Sequence, residues 1–151
     1  MRFSALLKTI CLATVVTLTG CAVPNPSDIF SSTPEKDYSK VYLRGVFNWW
    51  EVTEPFKFEV ISEDLLAVEV ELIADGQPYD FKVADAAWSP SYNCGLAAAV
   101  DALPLGDSIE LYCYTDSLNL QFMPSETAMY RFNLDVSNQQ YPKLTIQKIA
   151  R

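Results

Sequence analysis

An all-β fold, an immunoglobulin-like antiparallel β-sandwich of seven or eight strands, is what this sequence predicts. Three observations carry that reading: apolar residues recur with period two, turn-forming residues break them at short intervals, and the stretch doing so spans about 112 residues (40–151). The first candidate strand is 41–47. Phe56, Phe58 and Val60 then alternate with Lys57, Glu59 and Ile61, and Leu66, Val68, Val70 and Leu72 alternate with Ala67, Glu69, Glu71 and Ile73. Tyr79, Phe81 and Val83 alternate with Asp80, Lys82 and Ala84. Segments 109–114 and 118–122 follow. Tyr130, Phe132 and Leu134 alternate with Arg131, Asn133 and Asp135, and Leu144 and Ile146 close the series. Asp75-Gly76, Leu105-Gly106-Asp107, Met123-Pro124-Ser125 and residues 138–142 supply the turns. Only residues 95–103, GLAAAVDAL, read as a helical turn or two.

The N-terminal residues follow a different rule. Arg2 and Lys8 precede an apolar run of about 10 residues, from Thr9 to Leu18, which fits an export signal and is too short to span a bilayer. Leu18-Thr19-Gly20-Cys21 resembles the lipobox of bacterial lipoproteins. The resemblance implies a signal peptide at 1–20, a lipid on the Cys21 thiol, and a body tethered to the membrane without a spanning helix. Ala22, rather than an Asp there, points by the same resemblance to the outer membrane of the cell envelope. Residues 21–39, rich in Pro and Ser, read as the lipidated cysteine and a flexible tether, with a reach of roughly 20–25 Å.

Charge and residue counts narrow the function. Losing Arg2 and Lys8 with the signal leaves 9 basic against 19 acidic residues, a net charge of −10. Such a surface repels phosphate backbones, so nucleic acid is not an expected partner. With no histidine in the chain, histidine-based catalysis and histidine-ligated metal sites are excluded, and no metal or cofactor is expected. Gly106-Asp107-Ser108-Ile109 looks like an esterase nucleophile block but lacks a base, so it reads as a turn entering a strand. Catalysis is not expected. Once Cys11 leaves with the signal and Cys21 takes lipid, Cys94 and Cys113 remain as a pair in an oxidising compartment, where a disulfide is the default.

What remains is aromatic. Trp49, Trp50 and Trp88 stand at the ends of candidate strands. Tryptophan faces stack on the C–H faces of sugar rings, and they also fill sandwich cores. Adjacent Trp49 and Trp50 would point to opposite sides if extended, so at most one of them belongs to the core. From the residues alone, core packing and contact with a sugar or partner both stay open.

The segment VYLRGVFNWW (41–50), followed by YDFKVADAAW (79–88), resembles the starch- and glycogen-binding modules attached to pullulanases. These modules are related to the glycogen-binding domain of AMP-activated kinase. The match spans about 41–95. It implies a β-sandwich with stacking tryptophans at Trp50 and Trp88, a sugar-bonding lysine at Lys82 and, less specifically, a polar contact at Asn93. Trp49 stands where such modules usually carry Gly or Asn, and it enlarges the aromatic surface. The implied function is a membrane-anchored, non-catalytic protein that binds α-glucan through a tryptophan platform. The alternative is an envelope lipoprotein that uses the same sandwich to hold a protein partner during assembly.

Overall fold

The computed structural model describes residues 35–150. The expectations for the signal at 1–20, for Cys21 and for the tether up to residue 34 lie outside the described residues. Two five-stranded sheets pack face to face, and every strand pairing in them is antiparallel. The first sheet runs β1 (Tyr42–Gly45), β4 (Tyr79–Ala84), β5 (Cys94–Gly95) and β7 (Tyr112–Cys113), with β8 (Leu120–Phe122) also paired to β4. The second runs β2 (Glu59–Ser62), β3 (Leu65–Leu72), β9 (Ala128–Asp135), β10 (Lys143–Lys148) and β6 (Ser108–Glu110).

The sandwich follows from the alternation. Val68, Val70, Phe81, Val83, Phe132 and Leu134 are all buried on the inner faces. Phe81 of the first sheet meets Phe132 of the second edge to face at 5.4 Å, and Phe122 meets Tyr130 at 5.2 Å, so aromatic pairs join the layers. Each fully buried large side chain contributes about 1.5–3 kcal/mol.

Ten strands replace the seven or eight expected, for two physical reasons. The run 109–114 breaks at Leu111, whose side chain is fully buried and whose N–H donates to Pro142 O at 2.8 Å. Ser108–Glu110 therefore pairs with β10 in one sheet, while Tyr112–Cys113 pairs with β5 in the other. β5 itself lies at the start of the expected helical stretch 95–103, and no helix forms there. Leu96 and Leu118 exchange backbone bonds of 2.9 and 2.8 Å, and Leu103 N–H donates to Gln121 O at 2.7 Å. Pairing with 118–121 overrides the local helix preference of the alanines.

The expected alternation of Phe56, Phe58 and Val60 holds only at Phe58. Phe56 ends a 3-10 turn, and Val60 lies on an edge strand exposed along its whole length, with a register shift between Val60 and Ser62. At the other boundary, Tyr38 is buried and its hydroxyl donates to Gln139 O at 2.8 Å. The compact unit thus begins at Glu35 rather than at residue 40.

Candidate functional site

Strand alternation sends Lys82 to the outer face of the first sheet, between inward-facing Phe81 and Val83. An outward lysine is ordinarily solvated, yet Lys82 is only 8 % exposed. Its Nζ donates to Asn93 Oδ1 at 3.1 Å, to Ser117 Oγ at 2.9 Å and to the Ser117 carbonyl. Ser117 Oγ in turn donates to Asn93 O at 2.9 Å, so the three residues form one closed network. Burial lowers the Lys82 pKa from its usual 10.5, and the charge of nearby Asp116 works in the opposite direction.

Opposite Lys82 in the register stands Arg44 on β1. It is also buried, and its guanidinium lies 3.8 Å from the centre of the Trp88 ring. Nε donates to Trp50 O at 2.7 Å, while Nη1 donates to Asp85 O at 2.9 Å and Ala86 O at 3.3 Å. A single planar fork thus ties the loop after β1 to the loop after β4. Asp85 braces the second loop further, its Oδ1 accepting from Ser89 N–H at 2.8 Å.

The first loop has its own internal peg. Asn48 is buried, its Oδ1 accepting from Gly45 N–H and its Nδ2 donating to Leu43 O, both at 2.9 Å. Gly45 lets this turn press on β4, because a Cβ there would sit 2.6 Å from Asp80 O and 2.7 Å from Phe81 Cβ.

All three tryptophans adopt left-handed backbone, with φ of 55° at Trp49, 63° at Trp50 and 55° at Trp88. Among the described residues no other non-glycine residue does so. For bulky side chains this region costs about 1–2 kcal/mol per residue, held here by the surrounding bonds. Because 49 and 50 are not extended, the expectation that they split to opposite sides does not apply. None of the three belongs to the core, in contrast to the buried tryptophan of immunoglobulin domains. Gly or Asn would tolerate the left-handed conformation at position 49 more readily than Trp does.

The Trp50 and Trp88 rings come together at 6.2 Å with their planes inclined by 42°. With Lys82, Asn93 and Asn119 they line an open, shallow groove of about 420 Å³. Four of the five candidate residues, Trp50, Trp88, Lys82 and Asn93, therefore meet at one place. Trp49 does not line the groove and is 85 % exposed. The expected disulfide joins Cys94 to Cys113, directly opposite each other on β5 and β7, within one sheet rather than between sheets.

Sequence reasoning passed over Arg44, Asn48, Ser117 and Asn119. The first two lie inside the segment 41–50 and could have been flagged as polar residues in an apolar strand and its turn. The others come from a stretch with no recognisable pattern, brought to the groove by the Leu96–Leu118 pairing and the pairing of β8 with β4.

The arrangement is thus a sheet-borne aromatic cleft with a satisfied polar floor. The chain is similar to a solved structure described as the ligand-induced structure of AmyP-SBD, a starch-binding domain. The likeness covers 97 % of this chain and 97 % of that one, with a TM-score of 0.57 and 17 % sequence identity, and it is a likeness of fold. No family model matches the sequence, and no curated protein matches it either.

Proposed function

We propose that this protein is a non-catalytic α-glucan-binding protein that holds starch- or glycogen-like chains in the groove between Trp50 and Trp88. The observation that carries the reading is the convergence of two part-buried tryptophan rings, inclined by 42°, over Lys82, Asn93 and Asn119. An α-linked glucan curves, so successive sugar rings present inclined faces, and two tilted indoles meet two such faces. Asn93 and Asn119 lie below to bond hydroxyls, while Lys82, expected from the sequence to bond sugar itself, spends its three N–H donors on Asn93 and Ser117 and so positions the floor. The likeness in fold to a starch-binding domain supports the same reading. Carboxylates are plentiful, but none lines this groove, which fits binding rather than glycosidic cleavage.

Placement in the cell envelope belongs to the same proposal. Lipid on Cys21 anchors the chain, and Ala22 directs it to the outer membrane. No helix among the described residues is long and apolar enough to cross a membrane. A second reading, contact with an envelope protein, is favoured by Trp49, an indole 85 % exposed beside the groove.

The test is calorimetric titration of the full chain with maltoheptaose, in a detergent whose headgroup is not a sugar. Heat of binding that disappears in both Trp50→Ala and Trp88→Ala supports the proposal. An absence of binding to maltoheptaose and to amylopectin overturns it.

A further inference from the structure

The groove does not end at Asn93. The segment from Tyr114 to Asn119 crosses the outer face of the first sheet above Gly95, whose missing side chain makes room for it. A Cβ on Gly95 would lie 2.0 Å from Leu118 O. One end of this segment puts Asn119 in the groove, and the other carries Tyr114, 46 % exposed. Tyr114 N–H donates to Asn93 O at 3.1 Å, so the tyrosine is bonded directly to a residue of the groove lining. Cys113 points inward to its disulfide, which turns Tyr112 and Tyr114 to the outer face, the side Lys82 occupies. Their rings stack on each other at 4.4 Å with 27° between planes. The charge of Asp116, in the same segment, acts on both the Tyr112 hydroxyl and Lys82.

We propose that Tyr112 and Tyr114 form a second aromatic subsite, continuous with the Trp50/Trp88 groove, that receives the next stretch of the same glucan chain. The proposal rests on the glucan-binding reading and adds a length preference to it. Two strand spacings of about 4.8 Å separate β7 from β4, so a ligand confined to the tryptophans does not reach the tyrosines, whereas a longer one does. The partner class is therefore an extended α-glucan and not a disaccharide or trisaccharide. A stacked pair with Tyr114 exposed over a part-buried Tyr112 suits that role, offering a rigid apolar face with hydroxyls at its rim.

The experiment compares maltotriose and maltoheptaose binding to the full chain by calorimetry, in wild type, Tyr114→Ala, Tyr114→Phe and Trp88→Ala. Tyr114 is exposed enough that its truncation leaves the fold standing, which a thermal melt of each variant verifies. The expected result is that wild type binds maltoheptaose more tightly than maltotriose. Tyr114→Ala loses about 2- to 12-fold in affinity for maltoheptaose alone, and Tyr114→Phe retains it. Maltoheptaose affinity unchanged in a folded Tyr114→Ala protein, with Trp88→Ala abolishing binding, refutes the tyrosine subsite and leaves the groove standing. Failure of the wild type to bind either sugar overturns the groove reading and its extension together.

Discussion

Replacing Arg44 by methionine is the perturbation that most tests how the site is built. Arg44 does not line the groove, yet its guanidinium touches both loops that do. Bonds from a charged donor contribute about 1.5–3 kcal/mol each, and a partly desolvated cation–π contact contributes about 0.5–2 kcal/mol. Not all of this is lost on truncation. The Asp85 and Ala86 carbonyls belong to a loop beside solvent and recover water, and the cost of burying a guanidinium disappears. A net loss of about 2 kcal/mol remains, which lowers the thermal midpoint of a domain this size by roughly 8 °C. The same change frees Trp50 and Trp88 to leave their left-handed backbone, and the strain so released is already included in that net loss. A stacking face that moves away forfeits about 0.5–1.5 kcal/mol, so maltoheptaose affinity falls about 2- to 12-fold although no ligand contact was removed. Arg44→Lys keeps the charge but not the planar fork, and it recovers less than half of the loss. Circular-dichroism melts and calorimetric titration of the full chain provide both numbers. A lowered midpoint with unchanged affinity would refute the claim that Arg44 positions the rings.

Other expectations follow from single contacts. Gly45→Ala forces β1 off β4, because both the Asp80 carbonyl and the Phe81 Cβ are rigid neighbours; denaturant titration should show a loss of about 2 kcal/mol or more. Asn48→Ala strands the Gly45 N–H and the Leu43 carbonyl inside the turn, at a cost of about 2–3 kcal/mol in the same assay. Trp49→Gly removes an exposed side chain from a left-handed position, so stability rises by up to about 1 kcal/mol. Cys94→Ser with Cys113→Ser opens a loop of about 20 residues and lowers stability by about 3 kcal/mol. Because β5 and β7 share only a two-residue pairing, that double variant should also weaken maltoheptaose binding more than maltotriose binding, read by calorimetry.

Period-two alternation made the sandwich legible because strands β3, β4, β9 and β10 each bury one face against the opposite sheet. It failed where the backbone changes sheets. Nothing in the local pattern of 109–114 reveals that Leu111 is a corner, since its neighbours look equally strand-like and the break is set by the Pro142 contact. The alanines of 95–103 prefer helix locally and yield to a pairing with 118–121 that is formed at a distance. The candidate site was legible to the extent that it is contiguous in sequence: Trp50, Lys82, Trp88 and Asn93 all fall within 41–95. Asn119 and Ser117 were not, because tertiary pairing alone delivers them. The orientation of the tryptophans was also hidden. Alternation assumes extended backbone, whereas a 3-10 turn followed by two left-handed residues places Trp49 and Trp50, and a left-handed residue in a separate loop places Trp88.

The most direct measurement is the intrinsic fluorescence of the full chain titrated with maltoheptaose, again in a detergent without a sugar headgroup. All three tryptophans lie at or beside the groove and none is in the core, so a bound glucan must change their emission. The account predicts a saturable change, lost in Trp50→Ala and in Trp88→Ala and retained in Trp49→Ala. A flat titration, or an unaltered response in the two groove variants, would contradict it.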